Sequence, residues 1–295
     1  MGNGAIGNLL AANCQQLKLN YRLLTRNGLG FALSVRRFNQ KEQVFTPQTK
    51  STHVPGDFDI LLLPLKAYQI LPAIEQLRPH LQSRQTLMLL HNGMVSIEQV
   101  KLLLPDNPIV AATTSYAAYK PATDTMIETG LGRTHAGWVS STSPSHREQV
   151  ESLLNAILPP CTWHQDIKLA LWHKLAINAV INPLSAIEQI TNGQLNAERY
   201  QHDIAQLCAE NACVMQACGY VTSPAELSEK IYQVIRDTAH NYSSMNRDIA
   251  FGRPSEINYI NGYLVQQAKQ HKIAVPLNTR LIREIKNLEA LKKDA

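Results

Sequence analysis

Three polar residues interrupt an otherwise apolar stretch, IKLALWHKLAINAVINPLSAI (167–187). Lys174, Asn178 and Asn182 stand at i, i+4 and i+8, so a helix carries them on one face. Asparagine is a mediocre helix former, and lysine is rarely buried without a partner. The spacing therefore marks a face turned toward a polar cleft, with one ammonium and two amides to offer a small ligand. A solvent-facing stripe is the other reading, but such stripes are usually wider and richer in charge. More polar candidates follow: Ser243 and Ser244 in YSSM, and Glu256 in RPSEINYINGYL. The last segment reads as a helix opened by Pro254 and Ser255 with Glu256 in its first turn, where a glutamate can also serve only the helix dipole. Asn92 in HNGM and Lys66 in LPLKAYQ each follow a strand-like run, at the edge where open α/β sheets bind ligands.

A second constellation opens the chain. Gly2, Gly4 and Gly7 in MGNGAIG fit G-x-G-x-x-G. In that pattern the first glycine makes a turn, the second admits a pyrophosphate close to the backbone, and the third packs a helix on a sheet. The start of the helix offers unpaired N–H groups and a positive dipole end. Arg26 stands 19 residues after Gly7, at the end of the next strand-like piece, YRLLTR. An acidic residue there would hold a ribose 2′-hydroxyl; an arginine suits a 2′-phosphate, so NADPH is expected rather than NADH. The other reading of Arg26 is a solvated residue at a strand end.

The strand that normally precedes such a loop is central in its sheet, yet this sequence starts at the loop. Buried backbone groups left unpaired cost roughly 1–3 kcal/mol each. Over a strand of about five residues that approaches the whole net stability of a domain, roughly 5–15 kcal/mol. We therefore expect the native chain to begin upstream with an apolar strand.

The elements that must position these groups change character along the chain. In the first half, Gly7 to about Lys18 reads as a helix and YRLLTR (21–26) as a strand. GFALSVRRF (30–38) with QVF (43–45) reads as a hairpin. DILLLPL (59–65) and TLMLLHNG (86–93) are short apolar runs of the kind buried on both faces, and AYQILPAIEQL is helical in pattern. SIEQVKLLL reads as a helix opened by Ser96, IVAATTSYAAY (109–119) as one strand, and TMIETG with RTHAGWVS as an antiparallel pair. This succession predicts a mostly parallel sheet covered by helices. From Ser145 onward nearly everything reads as helix. We expect an α/β Rossmann-type domain over 1–163 and an all-α domain over 164–295.

Composition narrows the class. With 295 residues, 44% hydrophobic and 17% charged, the chain has enough apolar content for two cores. Neither a membrane-length apolar run nor a secretory signal pattern is present, which points to the cytoplasm. Net charge is +5, with basic residues dispersed apart from Arg36/Arg37 and Lys292/Lys293, so no nucleic-acid stripe stands out. The five cysteines (14, 161, 208, 213 and 218) form no CxxC pair, and the histidines lack ligand spacing. All five read as buried or half-buried thiols, and no metal is expected.

Together these segments resemble the ketopantoate reductase (2-dehydropantoate 2-reductase) family over essentially the whole chain. The resemblance is carried by GNGAIG, DILLLPLKAYQ, LLHNGM, LWHKLAINAVINPLSAI, NG at 192–193, SSM, and SEINYINGYL followed by HKIAVPLNTR. It implies NADPH-dependent reduction of 2-dehydropantoate to pantoate, on the route to pantothenate and coenzyme A. A Rossmann domain would be followed by a helical domain like that of 6-phosphogluconate dehydrogenase, with the active site in the cleft between them. By the same resemblance Lys174 is the general acid and Glu256 orients it. Asn178, Asn182 and Ser244 hold substrate polar groups, and Asn92 lies near the nicotinamide and the reacting carbonyl. Gly2, Asn3, Gly4, Ala5, Ile6, Gly7, Arg26, Lys66, Asn92 and Glu256 contact the cofactor. The implied partner is a small molecule, neither nucleic acid nor membrane, with the protein a monomer or homodimer. Two alternatives stay open: another NADP-dependent 2-keto or hydroxy acid dehydrogenase on the same scaffold, or a degenerate nucleotide-binding paralogue.

Overall fold

The structure, a computed structural model, describes residues 1–39, 41–53, 56–140 and 142–291. Lys292 and Lys293 lie outside the described residues. The chain divides into two compact units. One comprises residues 1–91 and 95–167; the other comprises 92–94 and 168–295.

In chain order the first unit contains α1 (Ala5–Gln16), β1 (Leu23–Thr25), β2 (Leu33–Arg36), β3 (Glu42–Phe45), β4 (Thr49–Ser51) and β5 (Ile60–Leu63). It continues with α2 (Ala67–Leu77), β6 (Thr86–Leu90), α3 (Ile97–Leu103), β7 (Ile109–Thr114) and β8 (Ala117–Ala122). It ends with β9 (Thr125–Gly130), β10 (Thr134–Trp138), α4 (Pro144–Ile157) and β11 (Cys161–Trp163). The largest sheet has five strands in the order β11-β10-β7-β6-β5. Strands β5, β6 and β7 run parallel, and β10 is antiparallel to β7. β6 is buried throughout, as expected of a strand covered on both faces. β5 is not: only Leu61 and Leu63 are buried, while Ile60 and Leu62 are half-covered.

Several expectations fail for a shared reason, that strand partners are chosen across long sequence distances. IVAATTSYAAY is two strands, not one. The chain turns at Ser115, whose N–H donates to Arg133 O and whose hydroxyl accepts from Arg133 N. Gly132 presses so close to Tyr116 N that a Cβ there would lie 2.1 Å away. TMIETG and RTHAGWVS do not pair. β9 joins a separate four-stranded sheet, β3-β2-β9-β8, whereas β10 joins the large one. The hairpin β2–β3 forms as expected, and β9 then adds parallel to β2. CTW, left without an element by the sequence reading, is the edge strand β11, parallel to β10.

No strand precedes α1 among the described residues. β1 pairs with β4, and β5 with β6. Between β1 and β5, the Met1 amine donates to Leu62 O at 2.6 Å and Gly2 N donates to Leu24 O at 2.9 Å. α1 starts at Ala5, two residues earlier than its sequence suggests, and is packed on both sides. Leu10 and Cys14 join Met88, Val110 and Leu154 in one cluster, while Leu9 and Ala12 join Leu33, Val35 and Met126 in another. Each fully buried leucine of this kind contributes roughly 1.5–3 kcal/mol.

The second unit is helical: α5 (Lys168–Glu188), α6 (Gln201–Ala217), α7 (Pro224–Asp237), α8 (Ser244–Ala250), α9 (Asn261–Gln270) and α10 (Pro276–Leu291). α5 is its axis, touching α6, α7, α8 and α10. Trp172, Leu175, Ala179, Val180 and Leu184 of α5 are buried in one continuous cluster with Leu207, Ile231, Ile249, Leu264 and Leu281. No helix of the described residues is long and apolar enough to cross a membrane. Cys14 and Cys208 are buried and Cys161 and Cys218 half-buried, but Cys213 is exposed, contrary to expectation, because it falls on the outer face of α6.

Candidate active site

Local sequence explains the shape of the glycine loop. Gly2 has φ +91°, a left-handed conformation that favours glycine. A Cβ on Gly7 would lie 2.4 Å from Gly2 O, so the third glycine lets the first turn of α1 fold against the loop. Gly4 is different, for beyond its own chain neighbours nothing lies within 4 Å of where its Cβ would be. Gly4 is also the N-cap of α1, with no side-chain cap and no acidic residue in the first turn. The first N–H groups of the helix therefore remain available to an anion, and space for it opens at the second glycine. Asn3 is held from outside the loop: Lys120 Nζ, on β8, donates to Asn3 O (2.9 Å) and to Asn3 Oδ1 (2.8 Å).

Arg26 follows β1 directly and is exposed; its carbonyl accepts a hydrogen bond from Ser51 Oγ, at the matching end of β4. Lys66 is half-buried at the N-cap of α2, where its N–H donates to Gln69 Oε1 at 3.2 Å. Gly2–Gly7, Arg26 and Lys66 all belong to the sheet unit.

The other candidates gather in the helical unit. Lys174, Asn178 and Asn182 share one face of α5, and Asn182 is buried. Lys174 is half-covered as a residue, yet protein closes around its ammonium. Desolvation pulls its pKa from 10.5 down to about 8, and the Glu256 carboxylate pulls it back up. Glu256 is buried at 3% exposure, too deep for a solvated surface acid. No α-helix begins at Glu256, contrary to the sequence reading. It precedes a single 3-10 turn, Ile257–Tyr259, and α9 starts only at Asn261. The helix-dipole role for this glutamate therefore loses its helix.

Asn92 lies in the segment 92–94, which belongs to the helical unit. Met94 N donates to Tyr259 O at 2.8 Å. Gly93, with φ +74°, approaches that same carbonyl so closely that a Cβ would lie 2.4 Å from it. Asn92 is thus anchored one residue from a docking point on the turn that follows Glu256. Ser243 and Ser244 separate into two roles. Ser243 is the buried N-cap of α8; its Oγ accepts from Asn246 N (3.1 Å) and donates to Asn182 O (3.4 Å). Ser244, the first residue of α8, is exposed and remains open to a ligand.

The residues that hold this face in shape escaped sequence reasoning. Pro183 lies inside α5 and has no N–H, so the carbonyl four residues back, Ala179 O, loses its helical partner. Asn261 Nδ2 donates to that carbonyl at 2.8 Å. The same nitrogen donates to Asn278 Oδ1, and Asn278 Nδ2 donates to Asn211 Oδ1 and Glu210 Oε2. Asn211 Nδ2 reaches back to Ala176 O at 3.2 Å. Glu210 also accepts Leu277 N and Asn278 N, capping the start of α10. Pro183 within a helical pattern was the available signal that a donor had to arrive from elsewhere. Among the described residues no group of three or more His, Cys, Asp and Glu is arranged to hold a metal ion.

Comparison with known proteins identifies the family. Residues 1–141 match the family model described as ketopantoate reductase PanE/ApbA, and residues 166–289 match its C-terminal counterpart. The 2-dehydropantoate 2-reductase of Vibrio cholerae is 35% identical over 289 residues, covering 98% of this chain and 96% of that protein. That of Yersinia pestis is 40% identical over 232 residues, covering 79% and 75%. In fold, a PanE/ApbA family ketopantoate reductase from Ralstonia eutropha superimposes with TM-score 0.82 at 22% identity, over 99% of this chain and 98% of that one. D-mandelate dehydrogenase in a ternary structure with NADH and anilino(oxo)acetate gives TM-score 0.90 at 18% identity, with the same coverage. By sequence match over nearly its full length, this chain belongs to the ketopantoate reductase family of oxidoreductases.

Proposed function

We propose that this protein reduces the ketone of 2-dehydropantoate to the alcohol of pantoate with NADPH, Lys174 acting as general acid. The carrying observation is the buried ammonium of Lys174 under the field of buried Glu256, on the face it shares with Asn178 and Asn182. The glycine loop suits a dinucleotide on its own geometry, with open space at Gly4 and uncapped N–H groups at the start of α1. Arg26 at the end of β1 favours the 2′-phosphorylated form. Lys66 sits at the corresponding edge of β5.

Reduced nicotinamide, when bound, supplies the hydride. The rest falls to the protein. As the carbonyl oxygen gains negative charge, the Lys174 ammonium stabilises it and then delivers the proton. Burial makes that proton easier to give up, and Glu256 keeps enough of the lysine charged to have one. Asn178, Asn182, Ser244 and Asn92 supply neutral donors and acceptors for the substrate's carboxylate and hydroxyl, orienting it without competing charge. Glu256 aims the ammonium.

The test is NADPH oxidation with 2-dehydropantoate beside a panel of other 2-keto acids, and with NADH in place of NADPH. We expect the highest kcat/KM for 2-dehydropantoate with NADPH. Lys174→Ala should lower kcat by about 10²-fold or more while NADPH still quenches protein fluorescence. Preference for another keto acid would reassign the substrate. Near-normal turnover in the variant would remove Lys174 from the acid role, and no quenching in the parent chain would leave a nucleotide-binding fold without its ligand.

A further inference from the structure

Lys120 reaches across 117 residues of sequence to a single point in the glycine loop. Both of its hydrogen bonds end on Asn3, at the backbone oxygen and at Oδ1. The ammonium carries a third N–H, and Asn3 is its only hydrogen-bonding partner among the described residues. Lys120 is half-buried, and Asp124 is the charged group that supports its protonation against desolvation.

The chosen oxygen matters because Asn3 O and Gly4 N–H belong to one planar trans peptide. Holding the oxygen in one direction holds the N–H in the opposite one. Gly4 is the glycine of the loop whose absent Cβ would meet no atom within 4 Å beyond its own chain neighbours. A cationic donor on the carbonyl also polarises the amide and strengthens its N–H as a donor. The loop's own sequence contains no cationic side chain: residues 1–7 are MGNGAIG.

We propose that Lys120 is a positioning residue for the cofactor: by clamping the Asn3–Gly4 peptide it aims Gly4 N–H at the diphosphate of a dinucleotide. This rests on the reading that the glycine loop holds NADPH. The clamp acts on the diphosphate and not on the 2′-phosphate, which the same reading assigns to Arg26 at the end of β1.

The experiment uses the full chain with Lys120→Met and Lys120→Arg, titrated with NADPH and with 2′-AMP, which carries the 2′-phosphate but no phosphate at the 5′ position. In Lys120→Met the Kd for NADPH should rise about tenfold, the loss of one charge-assisted hydrogen bond. The Kd for 2′-AMP should stay within about twofold of the parent. The KM for NADPH should rise while kcat at saturation and the KM for the keto acid hold, and Lys120→Arg should recover much of the affinity. An NADPH Kd unchanged in Lys120→Met overturns the proposal. Equal weakening toward 2′-AMP also overturns it, because the effect would then be a general disturbance of the unit. A parent chain that binds neither NADPH nor NADH defeats the functional reading itself, and that outcome is visible before any variant is made.

Discussion

Lys174 and Glu256 make opposite demands on one proton. Burial drives the lysine toward neutrality, and the carboxylate drives it back toward charge, leaving its pKa at about 8. A general acid must hold its proton before it can give it, so kcat/KM should be high below pH 8 and fall as pH rises through that value. Glu256→Gln removes the contribution that raises the lysine's pKa. The descending limb should therefore move to lower pH; for a shift of about one pKa unit, kcat/KM at pH 8 falls about fivefold and the loss approaches about tenfold only well above that pH. A pH–rate profile of the two proteins checks this, and an unmoved limb would detach Glu256 from the acid. At this scale much was legible from sequence. Lys174, Asn178 and Asn182 share a face through helical periodicity alone, which needs no knowledge of the rest of the chain. The division of labour between Ser243 and Ser244 was not legible, since the two differ only in which one faces Asn182 and the core.

α5 carries the proposed catalytic face and also a proline, and its geometry depends on a donor from α9. Asn261 Nδ2 satisfies Ala179 O, the carbonyl Pro183 cannot serve, five residues along the helix from Lys174. Asn261→Leu should leave that buried carbonyl and Asn278 Oδ1 without this donor, destabilising the protein by roughly 1–3 kcal/mol. Denaturant unfolding measures the loss as a lower midpoint with unchanged slope. The KM for the keto acid should rise as well, because Asn178 and Asn182 flank the unsupported turn. A variant as stable as the parent would show that water or a neighbouring group replaces the amide. Element identity was largely readable: α2, α3, β6 and the β2–β3 hairpin form where pattern and caps put them, with Ser96 capping α3 by accepting from Gln99 N. Element partners were not. β9 and β10 are four residues apart yet enter different sheets, one against β2 and the other against β7.

Each of the two units has its own hydrophobic core, and a cofactor that binds only the folded chain must stabilise it by mass action. NADPH at about 100 times its Kd should add roughly 2.7 kcal/mol to stability. Scanning calorimetry should then show an unfolding midpoint that climbs with NADPH concentration, whereas a midpoint indifferent to NADPH would count against the glycine loop as its site. At the scale of the whole chain, sequence alone determined what arises within a few residues of each position. That includes the glycine pattern of the loop, the helical or strand character of most runs, the one-faced polar stripe, and family membership through those local motifs. Tertiary structure alone decided what depends on distant parts of the chain meeting. It joined Lys120 to Asn3 across 117 residues and Asn261 to Ala179 across 82, ended the helix that Glu256 was expected to open, and sorted the strands into separate sheets. The reason is physical. Periodicity and capping are satisfied by neighbours along the chain, but a buried carbonyl, an ammonium or a strand edge accepts whichever partner packing delivers, and sequence spacing places no limit on where that partner comes from.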